Sequence, residues 1–225
     1  MNVKYLELEK YLFEISDKKF ADFSKSLSNS DYISIGVKNP ILKQLVKEHI
    51  KDEELKLEDF VLGKYLEVDY LYFAIAISRL KNAKDQLDFL EMNIYKAKSW
   101  AITDTISTYI KKMTFEDFWS FFLRNNDSKY TYTRRMSYIL GVKLYKDERI
   151  LDTLKYIKSN EEYMVMMAQA WLLATIAIIY PNQIYDYLSK CNDLTLKRKT
   201  ISKVSDSFRF DDKTKERFKS LRNEQ

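Results

Sequence analysis

The sequence contains very little glycine and proline. Only three Gly and two Pro occur among its 225 residues. The turns of β-sandwiches and barrels, and the connections of alternating βαβ units, usually contain these residues. Their scarcity therefore argues against all-β and α/β folds and favours a chain that is helical over most of its length.

Cysteine and histidine are scarcer still. Cys191 is the single cysteine and His49 the single histidine. One cysteine cannot form an intramolecular disulfide, and the two residues are too few for a structural zinc site. A Ser–His–Asp or Cys–His catalytic set lacks the residues that it needs, and no Gly-rich phosphate loop occurs. We therefore predict a protein that uses neither a metal nor another cofactor.

Signals for export and for membrane insertion are also absent from the sequence. Residues 1–10 are charged and contain no apolar run, unlike a secretory signal. The longest apolar run, residues 164–180, is interrupted by Gln169 and Thr175 and is barely long enough to span a bilayer. Acidic residues precede it and Pro181 follows it, as at ordinary helix boundaries. We expect a buried core helix here, and a cytoplasmic protein that does not contact membranes.

Apolar residues recur at helical spacing along the chain, and the more apolar helices begin at a regular interval. Their candidate starts are 30 to 33 residues apart, at Asp69, Ser99, Tyr130, Glu161 and Leu194. A second helix is predicted after each start, over residues 85–94, 114–123, 147–157, 181–188 and 211–221. A fixed period of two helices is typical of stacked helical repeats.

We therefore predict an all-α fold, a HEAT-like helical-repeat solenoid (an α-α superhelix) formed by residues 1–225 as a single domain. About twelve or thirteen helices in antiparallel pairs are expected, with the inner helices lining a concave surface suited to a long, negatively charged partner. The alternative is an irregular helical bundle in which the regular spacing is coincidental.

Basic residues are concentrated near the end of the chain. The net charge is only +5, but ten Lys and Arg lie between residues 197 and 222, where acidic residues offset them only in part. Such a segment favours an anionic partner, although a solvated pair of terminal helices would have the same composition.

The predicted inner helices carry aromatic and charged residues. Trp100 and Asp104 are four residues apart and therefore share one face of a helix. Arg134 and Arg135 lie near the start of the next inner helix, and Trp171 lies midway along the one after it. The last inner helix opens with three basic residues, Lys197, Arg198 and Lys199. Each residue alone is compatible with a core or solvated position, but together they predict a cleft for stacking and phosphate binding.

Four segments, in this order and spacing, resemble a known family. They are residues 32–40 (YISIGVKNP), residues 98–104 (KSWAITD), residues 133–136 (TRRM) and residues 170–173 (AWLL). They are similar to the entry motif, the Trp-x-x-x-Asp motif, the arginine segment and the last tryptophan segment of the DNA alkylation repair family, the AlkD-type alkylpurine DNA glycosylases. The resemblance covers nearly the whole chain, from Tyr32 to Arg222.

The resemblance implies a HEAT-like array that wraps the phosphate backbone of double-stranded DNA as a monomer. It also implies hydrolysis of the N-glycosidic bond of positively charged alkylpurines, such as 3-methyladenine and 7-methylguanine, without base flipping. Trp100 and Trp171 would be aromatic walls and Asp104 the carboxylate beside the sugar. Arg135 and Arg198 would contact phosphates. The wider set of expected DNA-binding residues is Arg134, Arg135, Lys197, Arg198 and Lys199.

Two departures from the family pattern favour alternatives to a glycosylase. Ala174 stands where the glycosylases carry an arginine, three residues after the last tryptophan. A short predicted helix at residues 18–23 is followed by a Ser- and Asn-rich stretch, residues 24–31, which is a poor helix former. One alternative is a diverged member that binds DNA with weak or no glycosylase activity. A repeat scaffold for a protein partner is another.

We expect Trp100, Asp104, Arg135 and Trp171 to line one concave surface, with Asp104 at least partly exposed on it. A neutral or acidic surface there would instead favour the protein scaffold.

Overall fold

The computed structural model describes residues 3–28, 31–159 and 161–222, and these residues form helices without any strand. A single isolated bridge, between Ile33 and Tyr65, is the only β pairing within those ranges. No helix there is both long enough and apolar enough to cross a membrane. The prediction of an all-α fold is confirmed.

The chain divides into two compact units, Met1–Met113 and Thr114–Gln225. The α-helices of the first unit are α1 (Val3–Glu14), α2 (Lys18–Ser28), α3 (Asn39–His49), α4 (Leu66–Arg79), α5 (Ala83–Asn93) and α6 (Trp100–Ile106). Those of the second unit are α7 (Phe115–Asn125), α8 (Thr131–Gly141), α9 (Tyr163–Ile176), α10 (Pro181–Ser189), α11 (Leu194–Asp206) and α12 (Asp212–Ser220). Short 3-10 helices cover Leu57–Asp59, Ile94–Lys96, Ser107–Tyr109, Val142–Leu144 and Glu148–Tyr156. The assignment of residues 1–225 to a single domain stays a prediction.

The regular spacing of the apolar helices matches the prediction. Helices α4, α6, α8, α9 and α11 begin 31 to 34 residues apart, each within three residues of its predicted start. The more polar helices between them also form, with one difference. Residues 148–156 adopt a 3-10 helix rather than an α-helix, although their apolar pattern alone does not distinguish the two.

Two helices form the centres of the two units. In α4, eleven consecutive residues from Glu67 to Ile77 are buried. In α9, the predicted core helix, ten residues are buried, and Gln169 is among them. Helices that are buried on nearly all sides belong in a core. Accordingly, α3 and α6 pack against α4, whereas α8 and α11 pack against α9.

Helix caps explain where several elements begin. Thr114 and Asp117 form a reciprocal capping box at the start of α7, as their spacing predicts. Asp211 caps α12 by accepting a hydrogen bond from Thr214 N at 2.7 Å. Asp59, whose side chain could also cap a helix, instead ends a 3-10 helix.

Helix α2 is longer than its sequence predicts. The expected helix ends near residue 23, but α2 continues through the Ser-rich stretch to Ser28, and residues 29 and 30 lie outside the described residues. Phe20, Phe23 and Leu27 recur at helical spacing and line one cavity with Trp100. Tertiary packing of this apolar stripe therefore outweighs the low helix propensity of serine.

A buried carboxylate on α4 organises the segment that precedes α3. Glu67 accepts hydrogen bonds from the backbone amides of Ile35 at 2.9 Å, Gly36 at 2.8 Å and Val37 at 3.3 Å. It also accepts one from the hydroxyl of Ser34 at 2.9 Å. Hydrogen bonds to an ionised acceptor are stronger than neutral ones, so this single side chain fixes the conformation of the segment.

Gly36 is required within that segment. Its φ of +98° lies in the left-handed region. A Cβ atom there would come within 2.2 Å of the backbone oxygen of Asp17. The same two residues are joined by a hydrogen bond from Asp17 N to Gly36 O at 3.1 Å. Any other residue would therefore push the start of α2 away from this segment.

A second carboxylate on α4, that of Asp69, lies at the centre of a buried polar cluster. Tyr32 donates its hydroxyl hydrogen to Asp69, and Gly63 N donates to both carboxylate oxygens, at 2.9 and 3.1 Å. Burial raises the pKa of Asp69 from its ordinary value of 3.8 to about 6. The Tyr32 oxygen in turn accepts a hydrogen bond from Lys98 N at 3.2 Å. The cluster therefore connects α4 to the residues that precede α6.

Replacing Glu67 with Ala should lower the free energy of unfolding by about 2–4 kcal/mol, because three backbone amides would lose a charged acceptor. Urea denaturation followed by circular dichroism measures this change. Glu53, an exposed residue of the same unit, provides a matched control, and Glu53→Ala should change stability by less than about 0.5 kcal/mol. Equal effects of the two substitutions would contradict the role given to Glu67.

The raised pKa of Asp69 should make the free energy of unfolding depend on pH. Its pKa is higher in the folded protein than in the unfolded chain, so its contribution is fully present below about pH 4 and is lost as the pH rises through 6. The free energy of unfolding of the wild type, relative to Asp69→Asn, should therefore increase by about 1 kcal/mol from pH 7 to pH 5. Urea titrations of both proteins measure this difference, since the other titrating groups cancel. A difference independent of pH would rule the effect out.

Candidate DNA-repair site

Trp100 and Asp104 lie on α6 in the first unit. Ser99 caps the helix, so Trp100 is its first residue and Asp104 follows one turn later. Both side chains are partly exposed. The indole Nε1 of Trp100 donates to the carbonyl of Leu27 on α2 at 3.2 Å, and Asp104 accepts a hydrogen bond from the hydroxyl of Thr103 at 3.2 Å. The predicted pair therefore shares one accessible face of α6.

A cavity of about 280 Å³ adjoins Trp100 within the same unit. Side chains of α2, α3, α4 and α6 form its wall, and the wall is mainly apolar. Asp104 is not among its lining residues, which include Phe20, Phe23, Leu27, Leu42, Tyr70 and Trp100. The cavity therefore contributes apolar surface beside the tryptophan and leaves the carboxylate outside.

Arg134 is engaged by acidic residues of its own unit. Its Nη2 lies 2.9 Å from the carboxylate of Glu162, and its Nε lies 3.4 Å from that of Glu161. A third contact runs from Nη1 to the carbonyl of Ser128 at 2.7 Å. Two carboxylates thus compensate the charge of this arginine and orient it toward the start of α9, and its contact with DNA stays a prediction.

Arg135 and Lys197 are buried. Each is only 4% exposed, and Arg135 donates a hydrogen bond to the carbonyl of Met164. Such burial favours a role in packing α8 and α11 against α9. For both residues the expected phosphate contact stays a prediction. Because substitution of a buried residue would also disturb packing, phosphate binding is better tested at exposed cations.

The two residues that follow Lys197 on α11 are more accessible. Arg198 is exposed, and Lys199 is partly exposed with its Nζ 5.8 Å from the ring centroid of Tyr163. These are the predicted DNA-binding cations that reach solvent.

Trp171 lines a second cavity, of about 290 Å³, inside the second unit. It projects from α9 and is partly exposed. Ala174, which is 6% exposed, contributes a methyl group to the same wall. The remaining lining residues come from α9, from α11 and from the connection after α11, and they are Thr175, Lys203, Asp206, Ser207, Arg209 and Phe210.

Lys203 and Arg209 are the two basic residues of this cavity, and neither was among the site residues predicted from the sequence. Both belong to the basic segment at the end of the chain, where Lys and Arg are so evenly spread that the sequence marks no single one as a site residue. One signal was available, because Lys203 follows Lys199 by four residues and so lies on the same face of α11. Arg209 follows the helix, and nothing in the periodicity places it near Trp171.

The predicted site residues therefore divide between the two units. The first unit presents Trp100 and Asp104, and the second presents Trp171 with Arg198 and Lys199. The expectation that Trp100, Asp104, Arg135 and Trp171 line one surface stays a prediction. No group of three or more His, Cys, Asp or Glu side chains that could hold a metal ion occurs among the residues described.

Comparison with known proteins identifies the family. A family model described as DNA alkylation repair enzyme matches residues 8–206. A solved structure titled as a predicted DNA alkylation repair enzyme from Enterococcus faecalis is similar with a TM-score of 0.63 and 15% sequence identity, over 85% of this chain and 98% of that one. At this identity the likeness supports the fold, which is the helical-repeat fold of such proteins. No curated protein matches the sequence. Because the family model spans most of the chain, the protein belongs to the DNA alkylation repair enzyme family.

Proposed function

We propose that this protein binds duplex DNA and hydrolyses the N-glycosidic bond of positively charged alkylpurines, such as 3-methyladenine and 7-methylguanine. The observation that carries the proposal is the pairing of Trp100 and Asp104 on one accessible face of α6, in a chain of the DNA alkylation repair family. In this proposal the protein acts as a monomer in the cytoplasm and leaves the base unflipped.

The proposed chemistry depends on charge. Alkylation gives the purine a positive charge and makes it a good leaving group. As the bond to C1′ breaks, the base departs neutral and positive charge develops on the deoxyribose. The face of Trp100 would attract this cation, and the carboxylate of Asp104 would stabilise it and orient the attacking water. Trp171 would offer the DNA a second aromatic face. No acid is needed to protonate a base that is already cationic.

Binding to the backbone would depend on cations of the second unit. Arg198 and Lys199 reach solvent on α11 and are the proposed phosphate contacts. In the same proposal the DNA-binding role of Arg134, Arg135 and Lys197 is to hold the helices that present these contacts, since their side chains are engaged or buried within the unit.

A second candidate function is DNA binding without base excision. The observation in its favour is the small side chain of Ala174 beside Trp171, at the position where the glycosylases that the sequence resembles carry an arginine. A missing guanidinium would remove one contact to the DNA or to the lesion.

Incubation with duplex DNA that contains a single 7-methylguanine tests the two candidates. Chromatography quantifies the released base, and duplexes with uracil or hypoxanthine serve as neutral controls. Release of 7-methylguanine alone would support the glycosylase. Salt-dependent binding without any release would support the second candidate.

Replacing Asp104 with Asn should reduce the excision rate by about 10- to 1,000-fold, because the shape is kept and one preorganised negative charge is lost. Single-turnover measurements of base release provide this rate. Asp88 on α5 is an exposed aspartate of the same unit, and Asp88→Asn should excise like the wild type. Undiminished excision by Asp104→Asn would remove the carboxylate from the mechanism.

Affinity for duplex DNA should fall steeply with salt, since each phosphate contact releases counterions. Arg198→Ala should weaken binding and lower the slope of log affinity against log salt by about one. Fluorescence anisotropy over a range of salt concentrations measures both quantities. Lys155→Ala, which removes an exposed cation paired with Asp152 at 2.6 Å, is the control. Affinity that is constant between low and high salt would exclude this mode of binding.

A further inference from the structure

The connection between α11 and α12 presents an aromatic ring to solvent. Phe208 is 102% exposed, the largest value for a large apolar side chain in the described parts of the chain. Its chain neighbours Ser207 and Arg209 are polar, and Phe210, two residues on, is partly exposed. A fully solvated phenylalanine gains free energy when a partner covers it.

Two cations accompany this ring. Lys203, on the last turn of α11, and Arg209, next to Phe208, both line the cavity beside Trp171. Asp206 is the one acidic residue of that lining, so positive charge exceeds negative charge around the cavity. An anionic partner is favoured over a neutral one.

Contacts within the unit hold Arg209 near the cavity. Its backbone N–H donates to the hydroxyl of Ser207 at 3.2 Å, which fixes the turn after α11. The guanidinium carbon lies 5.7 Å from the ring centroid of Tyr145, within the range of a cation–π contact. The arginine is therefore partly positioned before any ligand binds.

Lys203 extends the predicted DNA-binding surface. It follows Lys199 by four residues on α11, so the two ammonium groups lie on one face of the helix, one turn apart. The spacing brings Lys199 into line with Lys203 and therefore with the cavity that contains Trp171.

We propose that Lys203 and Arg209 bind a backbone phosphate of DNA at the cavity beside Trp171, while the ring of Phe208 inserts at a neighbouring base step and stacks on a base there. This inference rests on the proposed function in so far as that function requires DNA binding. Cations that hold the backbone, together with an apolar side chain inserted at a base step, are a common combination in proteins that bind duplex DNA. The excess of positive charge around the neighbouring cavity favours DNA over an apolar protein surface.

Binding of a labelled duplex, measured by fluorescence anisotropy over a range of salt concentrations, tests the phosphate contact. Lys203→Ala and Arg209→Ala should each weaken binding about 3- to 10-fold and lower the salt slope by about one. Lys203→Arg keeps the charge and should keep the slope. Lys190→Ala removes an exposed cation of the same unit that does not line the cavity, and it should lower affinity by less than twofold.

The stacking contact has a different readout. Phe208→Ala should weaken binding about fivefold or more without changing the salt slope, because a ring and not a charge is lost. Phe208→Tyr should restore the affinity. Leu194→Ala, which removes another exposed apolar side chain of the unit, should bind like the wild type. Melting temperatures within a few degrees of the wild type show that each variant is folded.

The outcomes separate the two proposals. A wild type that binds DNA while Lys203→Ala, Arg209→Ala and Phe208→Ala match their controls overturns this inference and leaves DNA binding intact. In that case the exposed ring of Phe208 would instead favour a protein partner at this connection. A wild type that does not bind duplex DNA at any salt concentration overturns both.

Discussion

The hydrogen bonds from three consecutive backbone amides to the carboxylate of Glu67 are the interaction on which the first unit depends. They replace the hydrogen bonds to water that the carboxylate loses when it is buried. They also hold the segment before α3 against α4. Two residues later on α4, Asp69 accepts a hydrogen bond from the hydroxyl of Tyr32. The Tyr32 oxygen in turn accepts a hydrogen bond from the backbone amide of Lys98. Lys98 lies two residues before Trp100. The position of the first candidate site residue is thus set by acids that are almost wholly buried.

In the second unit, cations and not carboxylates hold the segment that precedes the central helix. Arg134 contacts Glu161 and Glu162, and Arg135 donates to the carbonyl of Met164. All three partners lie at or just before the beginning of α9. These arginines therefore fix the entry of the core helix that carries Trp171. Charged residues that look like ligands for phosphate in the sequence also serve the fold.

The sequence predicts the fold far better than the individual contacts. The period of the apolar helices depends only on which residues avoid water, and this can be read from spacing. The capping box at Thr114 is equally local, since both partners lie within four residues. The length of α2 could not be predicted, because its apolar stripe needs Trp100, distant in sequence, to pack against.

The same limit applies to the candidate site. The spacing of Trp100 and Asp104 places both residues on one accessible face of α6. Whether an arginine or a lysine reaches solvent depends on partners far along the chain, so the burial of Arg135 and Lys197 was not foreseen. The contribution of Arg209 to the cavity beside Trp171 depends on the turn that ends α11, which helical periodicity does not describe.

The hydrogen bond from the indole of Trp100 to the carbonyl of Leu27 has a consequence for molecular recognition. A tryptophan has one polar hydrogen, and here a backbone oxygen of the same unit already accepts it. The ring therefore offers a ligand its π face and its apolar edges but no hydrogen bond. In the proposed function, Trp100 would therefore distinguish a purine by its charge and shape and not by the pattern of its donors and acceptors.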